Sequence, residues 1–322
     1  MNTIDYLRIA VTDRCNLRCV YCMPEEGVDL KSHDEMLSIE EVEKLVKSVA
    51  PMGIKKIRLT GGEPLVRKNI EILVKKIASV EGVEHITMTT NGILLGSMAK
   101  ALKVSGLNRV NISLDTLKAD KFKAITRWGD LNDVLAGIDA SLKFGLTPVK
   151  INVVAMKGFN DDEIIDFVEL AIKKRVQVRF IELMPIGESD EKARIEHISI
   201  DAIKAIIEEK YKLISTDDIV TDGPASNYFI EGHPGSSVGF IGSLSNHFCG
   251  RCNRLRVTAD GKVRLCLHKD VEFDVLALLR EGKSEAEIRA FFESIIPLKP
   301  KGHSMTEEGW GNQKRKMSQI GG

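Results

Sequence analysis

No stretch of the sequence approaches the roughly 18 consecutive apolar residues that a membrane-spanning helix needs. Residues 1–11 have neither the basic start nor the apolar run of a secretory signal, so a cytoplasmic location is expected. Neither charge is in excess: 46 lysines and arginines balance 46 aspartates and glutamates. Sequence-independent binding to long nucleic acid usually needs a basic surplus, which argues against that class of partner. A small anion held by a local cluster stays open. Internal repeats and low-complexity blocks are also missing. What is there is ordinary globular material, 43% hydrophobic and 29% charged over 322 residues, enough for one large unit and a smaller one.

Short β-branched runs alternate with helical patterns up to about residue 182. Strands are expected at 7–12, 56–60, 85–90, 109–114, 149–154 and 178–183, with helices near 38–50, 68–79, 96–104, 131–144 and 161–174. Ser38 followed by Glu41 is a capping box for the first helix. Such units join parallel strands by right-handed crossovers, giving an α/β fold that is either an incomplete barrel or an open sheet. After Pro185 the rhythm changes, and a division into residues 1–210 and 211–322 is expected. In the second part a helix is expected over 199–209. Asp260-Gly261 suits a two-residue type I′ hairpin turn, which would pair Ala259 with Lys262 and Cys266 with Leu255. Helices near 273–281 and 284–295 follow, and from Pro297 the chain reads as an extended tail ending in Gly321-Gly322.

All six cysteines fall into two groups of three. In a reducing compartment, grouped cysteines are ligands more often than disulfides. The first group, Cys15-Asn-Leu-Arg-Cys19-Val-Tyr-Cys22, follows the first strand. A loop with that spacing can aim three thiolates at one iron–sulfur cluster and leave one iron open to another ligand. A zinc knuckle lacking a ligand, or buried thiols, are the plainer readings. The second group is Cys249-Gly-Arg-Cys252 with Cys266 thirteen residues on. In the expected register Cys252 falls on the wrong strand face, so residues 249–253 must turn out of the strand. A zinc site completed by His247 or His268 is the alternative.

The first motif, with Thr60-Gly61-Gly62-Glu63-Pro64 after the second strand, resembles the radical S-adenosylmethionine superfamily. That resemblance implies a partial (β/α)6 TIM-like barrel, a [4Fe–4S] cluster on Cys15, Cys19 and Cys22, and S-adenosylmethionine on its open iron. Tyr21 would pack near the adenine, the Gly62 backbone and Glu63 would meet the methionyl amine, and Ser113 and Met184 would complete the cofactor site. Taken alone, Ser113 and Met184 read as a capping hydroxyl and a core methionine.

The C-terminal segment Cys249-Gly-Arg-Cys252-Asn253-Arg254-Leu255-Arg256, with Cys266 and the terminal Gly-Gly, is similar to the GTP 3′,8-cyclase family, and the likeness runs the length of the chain. It implies a lyase acting early in molybdenum cofactor biosynthesis. A 5′-deoxyadenosyl radical would take the ribose 3′ hydrogen of GTP, and the carbon radical would close onto C8 of guanine. A second [4Fe–4S] cluster on Cys249, Cys252 and Cys266 would bind the base. Arg8, Arg58, Thr89, Lys150, Arg254, Leu255 and Arg256 match the family's GTP contacts. Arg179, Gly321 and Gly322 match its catalytic machinery, Arg179 with the less defined role. An electron donor such as flavodoxin or ferredoxin and a downstream cyclic pyranopterin monophosphate synthase are implied partners, with a homodimer open. Three other readings are a different radical maturase, a zinc-stabilised protein whose Gly-Gly tail is conjugated, and a tail that is only a frayed end.

Overall fold

The computed structural model describes residues 3–184, 195–216, 223–246, 248–302 and 315–321. The first six strands are β1 (Tyr6–Ala10), β2 (Lys56–Thr60), β3 (His85–Thr90), β4 (Arg109–Ser113), β5 (Lys150–Ala155) and β6 (Gln177–Glu182). Helices α1 (Ile39–Val49), α2 (Ile70–Ala78), α3 (Leu95–Val104), α4 (Ala119–Thr126), α5 (Leu131–Lys143) and α6 (Ile164–Lys174) cross between them. The expected capping box is present: Glu41 N donates to Ser38 Oγ at 3.0 Å, and Ser38 N donates to the Glu41 carboxylate at 2.7 Å. Val42, Leu45, Val46 and Val49 then recur at helical spacing and bury one face of α1. Helix α4 was not expected. Its inward face rests on Phe122, Ile125 and Thr126 alone, too short a stripe to stand out.

The C-terminal part adds strands to both sides of the same sheet. They are β7 (Leu213–Ser215), β8 (Ser226–Ile230), β9 (Ser237–Ile241), β10 (Arg254–Val257), β11 (Lys262–Arg264) and β12 (Glu272–Asp274). The order is β12-β11-β10-β1-β2-β3-β4-β5-β6-β9-β8-β7. From β10 through β9 neighbours are parallel. Helix α7 (Ile200–Glu208) fills the expected 199–209, and α8 (Val275–Arg280) and α9 (Glu285–Ile295) fill the other two.

Alternation along the strands gives the sheet two unlike faces. Leu7, Ile9, Ile57, Leu59, Met88, Val110 and Ile112 face the helices and are fully excluded from water. Arg8, Arg58, Thr60, Thr89, Arg109 and Ser113 occupy the other face, and all line one cavity. Because one face of so many strands borders a single space, the sheet curls around it as a partial barrel. An ordinary TIM barrel fills that interior with branched apolar side chains. Here it is hollow and lined by arginines, hydroxyl side chains and cysteines.

Two expectations are corrected. The hairpin pairs Arg256 with Arg264 and Val257 with Val263, one residue out of the expected register. Only Gly261 takes positive φ (67°), whereas a type I′ turn needs two such residues. Thr258 N donates to Lys262 O at 2.9 Å, so Ala259, Asp260 and Gly261 form a three-residue loop instead. Secondly, the tail is not merely extended: Met317–Ile320 forms a one-turn helix, α10, and Ile320 is buried.

Candidate active site

The first cysteine loop leaves the C-terminal end of β1, and the loop after β2 holds it in place. Gly62 N donates to Thr12 O at 2.9 Å, and Glu63 N to Arg14 O at 2.8 Å. A β-carbon on Gly61 would stand 2.4 Å from Thr12 O, and one on Gly62 2.3 Å from Arg14 O. Both glycines are therefore required by loop-to-loop contact before any ligand arrives. Glu63 is only 1% exposed and lies behind the cavity wall. It accepts from Leu65 N (3.0 Å), Thr90 Oγ1 (2.7 Å) and Asn91 N (2.7 Å). The side chain that sequence reasoning aimed at an ammonium group thus braces the loops, and burial lifts its pKa to about 7. Tyr21 does face the cavity, its hydroxyl donating to Asp115 Oδ2 at 2.7 Å, while Val154 N donates to Oδ1 at 2.8 Å. Gly62, Ser113 and Met184 line the same space. From outside, Arg18 Nη1 holds Cys15 O at 2.7 Å, and Trp128 Nε1 holds Asn16 O at 2.8 Å. Burial pushes Cys15 up to about 11 and Cys22 to about 12, and it also raises Cys19 well above the ordinary thiol value. The folded loop keeps them as thiols until a metal displaces the protons.

The second triad sits at the other end of the strands. Cys249–Arg251 forms a 3-10 turn, so the chain does leave the strand here as expected. Extending the observed register brings Cys266 level with Arg254, and Cys252, two residues before Arg254, falls on the same face. The one-residue shift of the hairpin is what lets these two thiols share a side. Lys299 Nζ donates to Arg254 O at 2.8 Å and also to Leu265 O, tying the two chains together beside them. Burial would raise the Cys252 pKa, but Arg254 and Lys299 outweigh it and the value falls. His268 lines the cavity, while His247 lies outside the described residues.

All six cysteines line one cavity. Cys15 follows β1, whereas Cys252 precedes β10, which runs parallel to β1 with Tyr6 opposite Arg254. The two triads therefore cap opposite ends of the same parallel strands. Among the described residues no three Cys, His, Asp or Glu side chains close on a single ion. An iron–sulfur cube spreads its thiolates further apart than a lone ion does, so the donor set fits a cluster at each end.

Between the ends runs a row of cations. Parallel register sets Arg256, Arg8, Arg58, Thr87 and Arg109 side by side across β10, β1, β2, β3 and β4. One level on, Thr89, Asn111 and Lys150 align, and then Ser113, Asn152 and Arg179. Arg179 Nη2 donates to Asn152 Oδ1 at 2.7 Å. The amide of Asn111 is oriented by its neighbours, its oxygen accepting from Arg58 Nη1 (2.6 Å) and Arg179 Nη2 (2.8 Å). Burial and then repulsion by Arg256 and Arg58 depress Arg8. Burial lowers Arg256 to about 10, with Arg254 adding to it, and lowers Arg179 to about 9, with Arg58 and Arg109 adding to it. Crowded, poorly hydrated guanidinium groups of this kind are relieved by a polyanion. The hydroxyls of Tyr6 and Thr89 and Arg179 Nε are buried without a hydrogen-bond partner among the described residues, as a ligand site requires.

Leu255 departs from its expected role. Its side chain is fully buried in the apolar core on the outer face, so only its backbone could reach a ligand. Gly321 does reach the strands: Arg256 Nη1 donates to its carbonyl at 2.9 Å, and a β-carbon there would stand 2.5 Å from Thr60 Oγ1. Gly322 lies outside the described residues.

The Radical SAM superfamily model matches residues 9–171, and the Molybdenum Cofactor Synthesis C model matches residues 176–305. A GTP 3′,8-cyclase of Moorella thermoacetica is 54% identical over 99% of this chain and 98% of its own. That of Heliobacterium modesticaldum is 50% identical over the same shares. The chain belongs to the GTP 3′,8-cyclase family. Among solved structures, Streptococcus suis SuiB bound to S-adenosylmethionine superposes with a TM-score of 0.59 at 14% identity, covering 90% of this chain and 68% of that one. At that identity the likeness shows the shared fold.

For a member of this family, the sequence reading missed Arg109, Asn152, Asp115 and Lys299, all on the cavity wall. Arg109 was within reach: it sits two and four residues before Asn111 and Ser113, on the face already assigned to the site. Asp115 and Lys299 carried no local signal, because each acts through a partner distant in sequence.

Proposed function

We propose that the chain catalyses the radical conversion of GTP to 3′,8-cyclo-7,8-dihydroguanosine triphosphate, the first step of molybdenum cofactor biosynthesis. The observation that carries this reading is one cavity capped at both ends by cysteine triads, with a row of arginines between. Residues 1–210 would form the radical-generating unit, and 211–322 the unit that holds substrate. Cys15, Cys19 and Cys22 would hold one [4Fe–4S] cluster, and Cys249, Cys252 and Cys266 the other. When bound, the first cluster and S-adenosylmethionine supply the hydrogen-abstracting radical, and the second cluster supplies an open iron for the guanine.

The chain's own residues bind, orient and shield. Tyr21, fixed by Asp115, gives the adenine a rigid platform, and the Gly62 backbone, Ser113 and Met184 complete the cofactor pocket. Arg8, Arg58, Arg256 and Lys150 neutralise the triphosphate, with Arg254 and Thr89 beside them. Arg179 is held by Asn152 and Asn111 against the same space. Gly321 meets Arg256 and Thr60, where a side chain would collide with β2, and Gly321 and Gly322 would support the cyclisation from the tail. An electron donor such as a flavodoxin or ferredoxin would supply the reductant, and a cyclic pyranopterin monophosphate synthase would act on the product. A cytoplasmic location suits a chain with no described helix long and apolar enough to cross a membrane. The test is anaerobic incubation of the iron-loaded protein with a reductant, S-adenosylmethionine and GTP. Turnover should consume GTP as 5′-deoxyadenosine forms; 5′-deoxyadenosine without GTP consumption would refute the assignment.

A further inference from the structure

The tail is fixed at two points on one hairpin. Deep in the cavity, Arg256 of β10 holds the carbonyl of Gly321. Arg315 forks onto two carboxylates, one in the turn of the same hairpin and one on the neighbouring strand β12. Its Nη1 and Nη2 meet Asp260 Oδ1 and Oδ2 at 3.0 and 2.9 Å, and its Nε meets Glu272 Oε1 at 2.7 Å. Nη2 also reaches Glu272 Oε2 at 2.9 Å. Asp260 belongs to the three-residue loop, and Glu272 opens β12, opposite Arg264 at the far end of β11. Neither carboxylate is fully exposed, and Arg315 itself is 19% exposed, so the contact is better shielded than an ordinary surface pair.

The geometry points to Arg315 as the positioning residue that seats the terminal glycines. Between the two anchors the chain makes a single helical turn, closed by Lys316 N donating to Gln319 Oε1 at 3.0 Å. So short a bridge leaves little slack: where Arg315 is pinned decides how far Gly321 reaches. The bidentate fork fixes direction as well as distance, which a lysine could not do. The hairpin also carries Arg254 and Arg256 and leads into Cys266, so the strands proposed to bind substrate would also set the depth of the tail. Burial alone would raise the Asp260 pKa; Arg315 and Thr258 outweigh it and the value is lowered, in keeping with a carboxylate that stays charged for its partner. This inference rests on the reading of the tail as part of the active site.

The test uses the full-length, iron-loaded protein under anaerobic conditions. Hydrogen exchange of the amides in 316–321 and GTP turnover would be measured for wild type, Arg315→Ala, Asp260→Asn and Arg315→Lys. Arg315→Ala should speed exchange across 316–321 by about tenfold or more and slow cyclisation by a similar factor, with iron content unchanged. Asp260→Asn should do the same more weakly, and Arg315→Lys should fall between alanine and wild type. Adding a synthetic peptide of residues 315–322 to a chain ending at 314 should restore turnover. The same peptide with Arg315→Ala should need about tenfold more for half-maximal rescue and reach the same maximum. Unchanged exchange in Arg315→Ala, or equal potency of the two peptides, overturns the role of Arg315. Faster exchange with normal turnover leaves the contact standing but overturns the active-site reading of the tail, and with it any positioning role.

Discussion

The two cysteine triads hold the same three ligands in opposite surroundings. The first is buried beside acidic groups: Asp115, near Cys19 and Cys22, is raised to about 6, and every thiol in the loop is pushed up. The second stands beside Arg254, Arg256 and Lys299, and Arg254 and Lys299 draw Cys252 down against its burial. A site meant to deliver an electron gains nothing from a cationic wall. A site meant to hold an anionic substrate needs one. On the proposed reading, three cysteines on a loop would specify a cluster, while their neighbours would specify its task.

The sharpest way to break the comparison is to remove one ligand from each end. Cys19→Ser should abolish both S-adenosylmethionine cleavage and GTP turnover, a loss on the order of 1,000-fold or more. Cys252→Ser should abolish cyclisation yet keep some 5′-deoxyadenosine formation, and equal loss of both products in the two variants would erase the distinction. Next in size is the cation row. Arg8→Ala should raise the KM for GTP about 10–100-fold, from about 1.5–3 kcal/mol per charge-assisted contact, without weakening S-adenosylmethionine. Tyr21→Phe should show the reverse pattern: about 3–10-fold weaker S-adenosylmethionine binding, from roughly 1 kcal/mol, with the GTP KM unmoved.

The smallest effect concerns pH. The folded pKa of Glu63 is raised to about 7, so between the ordinary carboxylate range and that value the folded chain binds more protons than the unfolded one. Its contribution to stability is therefore highest at low pH and declines as pH rises toward 7. Thermal unfolding of the metal-free protein should show this decline in wild type and a flatter profile in Glu63→Gln. Identical pH profiles would remove Glu63 from the account.

Much of the architecture was legible because it depends on neighbours in sequence. The cysteine spacings, the Ser38–Glu41 box and the strand–helix rhythm up to residue 182 are local, and the elements follow that rhythm and that box. What escaped depends on register or on distant partners. The Asp260-Gly261 pair did mark a turn, but Asp260 keeps an ordinary φ, and Thr258 closes a longer loop than the dipeptide suggested. The paired strand then shifts by one residue. Glu63 was read as a ligand-facing acid because a motif does not reveal that Leu65, Thr90 and Asn91 already occupy its oxygens. Leu255 was grouped with its arginine neighbours although alternation places it on the opposite face.

The parallel alignment of Arg256, Arg8 and Arg58 also makes the sheet a ruler. Each residue along a strand is worth about 3.3 Å, so the interval between the radical source and the far anchor is counted in backbone steps. A ruler made of hydrogen-bonded strands does not stretch as side chains change rotamer. Mutations on the cavity wall can alter what is gripped, yet the reach from one end to the other changes only when a residue is inserted or a strand slips.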